Sequence, residues 1–404
     1  ADSNGSAILS ISTAGLTGIQ SVSNIAGAAK AGGVTFLDLA SPTDLTIKSG
    51  ILVTEVNHNA TAFAGANDSV TVTLSGTNST TTIVKISDDS TLASTVLESL
   101  TINSVSVANT LADLQVDTTN VPTLNITGST ALTIAARLDS SITTIDASAM
   151  ATGGLNLTLA PEAAATTIVG SGAADTLSAI AAGNHNLSMG GGNDTVDFDG
   201  TWTAKDTLDG GAGTDTLSVL GAINNAGLNA TIFDNLTNVE VLDAEGADGD
   251  TVSLDSNTPF TTIDFDDANS QVLNLNDGYT QATTVSIDAD AGDTINNNAN
   301  VDLTLNAWSG AIGTSLDVTG STGKNDVANI TVITDPQTNT FDADNDAFET
   351  ININPFTAGA DATLITGAYA LGATGGNLTI NAGGSDALSV MTITGTASLT
   401  PLDI

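Results

Sequence analysis

Short β-branched segments recur along this chain every 20-odd residues, and that recurrence constrains the fold most. Ser99-Leu100-Thr101-Ile102, Thr123-Leu124-Asn125-Ile126, Thr143-Thr144-Ile145-Asp146 and Thr166-Thr167-Ile168-Val169 share one pattern. Their anchors Leu100, Leu124, Ile145 and Ile168 fall 24, 21 and 23 residues apart. The pattern returns at Val241, at Thr261-Thr262-Ile263-Asp264 and at Thr283-Thr284-Val285-Ser286, and more loosely at Leu303, Ile330, Ile351 and Leu378. So short a strand cannot bury its own apolar side, but stacking on a neighbouring turn does so. The expected fold is therefore all-β, a parallel β-helix or β-solenoid. About 18 turns of roughly 22 residues, stacked at about 4.8 Å, would extend at most roughly 85 Å. The competing architecture is a string of β-sandwiches, with turn signals about every 8 to 12 residues. The spacing favours the coil for residues 91–400.

Residues 1–90 are less regular. Ile51 to Val56, Val70 to Leu74 and Ile83 to Ile86 alternate like half-buried strands. The expectation is an irregular N-terminal β region over 1–90, either a separate domain or the first turns, followed by the solenoid over 91–404. Val107 to Gln115 and Asn225 to Asn238 read as helical or loop excursions.

Charge decides which partners suit such a coil. Six Lys+Arg face 45 Asp+Glu, for a formal net charge of -39. Nucleic acid and anionic lipid bind through basic surface that this chain lacks. No apolar run is long enough to span a membrane as a helix. Subtracting the six glutamates leaves 39 aspartates. Asp is a poor helix former that belongs in turns, where its short carboxylate binds backbone or a hard cation. Cysteine is absent, which removes disulfides and thiolate metal sites.

The most specific chemistry lies between residues 170 and 218. Gly210-Gly211-Ala212-Gly213-Thr214-Asp215-Thr216-Leu217-Ser218 matches the calcium nonapeptide G-G-x-G-x-D-x-U-x at every fixed position. Met189-Gly190-Gly191-Gly192-Asn193-Asp194-Thr195-Val196-Asp197 lacks only the first glycine. Gly170-Ser171-Gly172-Ala173-Ala174-Asp175-Thr176-Leu177-Ser178 substitutes Ser171 and Ala173 for two glycines. Calcium takes about six to eight hard oxygens, so glycines that aim carbonyls inward and an aspartate that adds charge suit it. The three aspartates lie 19 and 21 residues apart, close to one turn. The candidate metal residues are Gly170, Gly172, Asp175, Gly190, Gly192, Asp194, Gly210, Gly211, Gly213 and Asp215. The bland reading is that Gly-Asp-rich loops are only turns.

These motifs resemble those of RTX-type secreted proteins, and their setting resembles Gram-negative S-layer proteins of the Caulobacter type. Thr143 to Ala149 with Gly153 to Leu159 is similar to the element preceding calcium turns in that family. Asn235 to Leu242 resembles the element that follows them, and Leu97 to Ile102 echoes it. The resemblance covers about residues 95–290. It implies calcium-dependent folding outside the cell, export by type I secretion, and assembly into a lattice on lipopolysaccharide.

Weaker acidic candidates remain. Asp243, Glu245, Asp248 and Asp250 cluster around two glycines, and Asp243, Asp248 and Asp250 join the candidate ligands. Gly65 to Val70 resembles half a calcium turn. Asp264 to Asp267, Asp288 to Asp293 and Asp342 to Asp346 show D-x-D spacing without the rest of an EF-hand loop. Catalysis has little to draw on: aromatics are 3%, basic residues are scattered, and Trp202 with Lys205 is the only cluster worth testing. The sequence reading is therefore a secreted, extracellular structural protein at the bacterial cell surface, not an enzyme. It would bind Ca2+, assemble with copies of itself into a surface layer or filament, and take lipopolysaccharide or another surface glycan as a further partner. Alternatives are an adhesin or passenger stalk and a polysaccharide-active β-helix enzyme.

Overall fold

The computed structural model describes residues 8–25, 33–48, 53–77, 79–89, 97–117, 121, 123–159, 166–178, 180, 182–198, 201–219, 230–244, 251–265, 272–276, 278–288, 293–297, 299, 301–309, 315–319, 326–332, 340–348, 350–355, 363–371, 377–380, 390–394 and 402–403. Beyond residue 306 only backbone is described, except at residues 326, 327 and 329. The chain is a parallel β-solenoid that divides into two units, Ala1–Asp215 and Thr216–Ile404. The strands of both units pair in parallel with the strand one turn away.

In the first unit, Leu9–Ser12, Val34–Leu39, Val53–His58, Ile83–Asp88 and Asp113–Asp117 form a five-stranded sheet. A second sheet stacks Ser21–Ile25, Asp44–Lys48, Ser69–Ser75, Ser99–Val105, Thr123–Gly128, Thr144–Asp146, Thr167–Val169, Asn186–Ser188 and Thr207–Asp209 in that order. A third stacks Asn109–Leu111, Leu132–Arg137, Leu155–Thr158, Thr176–Ser178 and Thr195–Asp197. Ser69–Ser75 pairs along its length with Ser99–Val105, so strands on either side of residue 90 share one ladder.

Stacked apolar columns make the core. Leu100, Leu124, Ile145, Ile168, Leu187 and Leu208 are register partners in sequence and all are buried. Leu111, Ile134, Leu157, Leu177 and Val196 form the facing column. Ile102 sits fully buried between Val72 and Ile126. Ile102→Val should lower unfolding stability by about 1 kcal/mol in a urea titration, since one buried methylene is lost and its neighbours close in only partly.

In the second unit, Thr216–Ser218, Val241–Asp243, Thr262–Phe265, Thr283–Asp288 and Leu303–Ser309 stack in one sheet, and Thr251–Leu254, Val272–Leu275 and Asp293–Asn297 in another. The column Leu217, Leu242, Ile263, Val285 and Leu305 corrects the sequence anchors: Leu242 is buried and Val241 is not. The excursion expected near Asn225 to Asn238 contains a 3-10 turn, Ala230–Phe233, whose Phe233 meets Phe260 edge-on at 5.1 Å.

The excursion expected over Val107 to Gln115 is instead two strands, Asn109–Leu111 and Asp113–Asp117. Buried Asn109 explains why. Its Oδ1 accepts the Thr77 N–H (2.7 Å), and its amide donates to Ser104 Oγ (2.9 Å) and the Val107 carbonyl (2.8 Å). One side chain thereby satisfies backbone that would otherwise be stranded at the corner. No described helix is long and apolar enough to cross a membrane.

Candidate cation site

The three glycine-rich loops lie one above another at one corner of the first unit. Gly191 N–H donates to the Ser171 carbonyl (3.1 Å), Ala212 N–H to Gly190 (3.0 Å) and Gly192 N–H to Ala212 (2.8 Å). Loop backbones are thus stitched together directly, with Gly191 and Ala212 forming a parallel bridge. Gly190, Gly192, Gly211 and Gly213 all have positive φ. At Gly213 (φ 150°) an added Cβ would lie 1.7 Å from the Gly192 carbonyl oxygen, so no side chain fits. Gly170 approaches the Met189 carbonyl and Gly172 that of Ala151, while Gly210 is buried at the end of Thr207–Asp209.

Each loop ends on a buried aspartate, and the three carboxylates form a ladder. Asp175 Oδ1 accepts the Leu155 N–H (2.7 Å), Asp194 Oδ1 accepts the Asp175 N–H (2.7 Å), and Asp215 Oδ1 accepts the Asp194 N–H (2.8 Å). Each carboxylate therefore caps a backbone donor of the preceding turn. Charge-assisted bonds of this kind are about twice as strong as neutral ones.

The second carboxylate oxygens separate the motifs. Asp175 Oδ2 accepts the Ser171 N–H (2.7 Å), and the Ser171 hydroxyl donates to Oδ1 (2.8 Å). Ser171 replaces a motif glycine, and its hydroxyl adds a bond to Oδ1 while its backbone N–H meets Oδ2. Gly190 holds that place in the second loop, and its N–H makes no such bond to Asp194 Oδ2. Asp194 is only 1% exposed, and its Oδ2 is buried without a hydrogen-bond partner. Burial pushes the Asp194 carboxyl up to about 7, with repulsion from Asp175 and Asp215 adding to it and the Asp175 N–H opposing it. Burial also raises Asp175, against the bonds from Ser171 and Leu155.

A hard cation would suit the open Oδ2 of Asp194, because it would offset a buried carboxylate charge that the single Asp175 N–H meets only at Oδ1. Asp194 with Asp175 and Asp215 would supply the charge, and carbonyls of the stacked glycine loops the neutral oxygens. Among the described residues no three His, Cys, Asp or Glu side chains group as a ready-made ligand set. Most of any coordination would therefore fall to backbone oxygen.

Buried aspartate alone does not mark a cation site. Asp206 is fully buried just before the strand Thr207–Asp209, but its Oδ1 accepts the His185 N–H (2.8 Å). Its Oδ2 accepts the Thr203 N–H (2.8 Å) and hydroxyl (2.9 Å). Buried Asp326, in the second unit, likewise accepts the Leu303 N–H at 2.7 Å. Sequence reading missed both, although Thr203 three places before Asp206 was a visible turn signal.

The weaker candidates scatter. Asp243 sits on Val241–Asp243 in register with Asp264, while Glu245, Asp248 and Asp250 lie outside the described residues. Asp68 Oδ2 closes its own turn on the Gly65 N–H (2.9 Å). Asp342 to Asp346 fall within the strand Thr340–Phe348. Trp202 is buried edge-on against Phe198 at 4.8 Å and so packs in the core, whereas Lys205 is exposed. Comparison with protein-family models, curated proteins and solved structures gives no match for this chain.

Proposed function

We propose that this chain is a secreted structural protein, a calcium-stiffened β-solenoid that assembles with copies of itself into a bacterial surface layer or filament. The observation that carries the calcium part is Asp194 Oδ2, a buried carboxylate oxygen without a donor between two like carboxylates. Calcium supplies the missing positive charge there, and the protein's part is to hold three carboxylates and pleated glycine backbone in one column. The net charge of -39 gives the same ion a wider role, because carboxylates repel one another until counter-ions bind. Surface location, self-assembly and attachment to lipopolysaccharide or another surface glycan rest on the resemblance of residues 95–290 to RTX-type S-layer proteins. Extracellular calcium near millimolar suits sites of this kind.

A calcium titration with EGTA reversal, followed by circular dichroism and negative-stain microscopy together, tests the reading. Strand signal and ordered assembly should both rise with calcium and fall with EGTA. Asp194→Ala and Asp215→Ala should weaken the response more than Asp342→Ala. Indifference of both signals to calcium would refute the proposal.

A further inference from the structure

His58 ends the strand Val53–His58, where the chain leaves one sheet through residues 59–68 to reach Ser69–Ser75 of another. Its ring is fully buried and lies 4.5 Å from that of Phe63, tilted by 48°. Phe63 and Ala62 are themselves buried, so the turn folds back over the ring. His58 Nδ1 is 3.2 Å from the Ser87 carbonyl, which assigns the proton to Nδ1 and leaves Nε2 as the acceptor. Nε2 is buried and has no hydrogen-bond partner.

The turn is held by bonds that do not involve Nε2, one to the neighbouring coil and the rest within the turn. Asn59 N–H donates to the Leu39 carbonyl (2.9 Å) and Ala62 N–H to Asn59 (3.0 Å). Thr61 N–H and hydroxyl both donate to Asn59 Oδ1 at 3.0 Å, and Gly65 N–H to Asp68 Oδ2 at 2.9 Å. Charged groups stand on every element packed here. Asp88 pairs with His58 in register, Asp89 N–H bonds the His58 carbonyl (2.9 Å), and Asp38 precedes Leu39, the register partner on the other side. Asp68 closes the turn, and Glu55 pairs with Lys85 at 3.2 Å on the flanking strands. Burial nevertheless dominates and pushes the imidazole down to about 4, with the Ser87 carbonyl opposing it.

We infer that residues 59–68 form an acid-released latch, in which a proton arriving at His58 Nε2 expels the ring and Phe63 and opens the turn. Inside the lid the new N–H has no acceptor and the new charge no water, whereas both are satisfied once the ring swings out. The closed latch binds fewer protons than the open one. Its stability is therefore complete above the ordinary imidazole value and is lost as pH falls through the folded value. The latch stands apart from the cation column and does not depend on the calcium reading.

Hydrogen exchange on the full chain in saturating calcium, corrected for intrinsic rates, tests this between pH 7.5 and 4. Protection of amides 59–68 should fall on the order of 100-fold, at up to tenfold per pH unit, while 99–105 hold. His58→Leu should keep 59–68 protected throughout. Acid-insensitive protection in the wild type, or an equal loss in His58→Leu, would overturn the latch. If His58→Leu does not fold, an NMR titration of the assigned wild-type His58 ring decides. A midpoint well below that of free imidazole supports the latch, and one at or above it refutes it.

Discussion

Asp194→Asn is expected to be more stable than the wild type in calcium-free buffer at pH 8, and to gain little when calcium is added. The amide oxygen keeps the cap on the Asp175 N–H, while the buried charge is gone. The wild-type carboxyl is raised from 3.8 to about 7. A carboxyl raised on folding contributes stability that is complete below its unfolded value and lost as pH climbs through the folded value. Calcium-free wild type should therefore weaken between about pH 4 and pH 7, by up to roughly 4 kcal/mol from this group. The Asn variant should lack that slope. Urea unfolding across this range in EGTA and in calcium measures both effects. Wild type should gain about 2.7 kcal/mol when calcium reaches 100 times its dissociation constant. An Asn variant weaker than wild type at pH 8 in EGTA would show that the buried charge is not the liability proposed. Asp175→Asn should weaken the calcium response less than Asp194→Asn, because Ser171 already bonds both oxygens of that carboxylate.

Among the described glycines of the first unit, Gly213→Ala should be the most damaging single methyl. Its Cβ would overlap the Gly192 carbonyl oxygen at 1.7 Å and the carbonyl carbon at 2.6 Å, and neither is a side chain that can turn away. Positive φ adds about 1–2 kcal/mol, and forced separation of packed atoms about 1–3 kcal/mol. A total loss of about 2–5 kcal/mol follows, read from thermal or urea unfolding. Gly18→Ala is the control, with φ 78° and nothing within 4 Å of the added carbon. It should cost only the backbone part, about 1–2 kcal/mol. Equal losses in the two variants would mean that the glycine loops are not closely stacked in solution.

Much of the coil was legible because its chemistry is local and repeated. A β-branched segment every 20-odd residues and Gly-Asp loops at one-turn spacing leave few other ways to bury apolar surface. Where one turn had to be told from its neighbour, the sequence was ambiguous. Val241 and Leu242 are both apolar, and only pairing with Leu217 and Ile263 selects Leu242. Val107, Leu111 and Leu114 fall at helical spacing, yet the corner follows the bonds of Asn109 to distant backbone. Ser171 reads as decay of a motif until its bonds to Asp175 are seen. Asp206 and Asp326 serve donors 21 and 23 residues away, a relation no local pattern records.

The aspartate ladder also has a direction, and that direction says where the chain tolerates being cut. Every cap runs from a later carboxylate to an earlier N–H: Asp175 to Leu155, Asp194 to Asp175, Asp215 to Asp194. A fragment ending at residue 198 loses the cap on Asp194, whereas one ending just after Asp215 keeps every cap of the ladder. The first unit closes at that residue. Truncation there leaves all three of these caps in place.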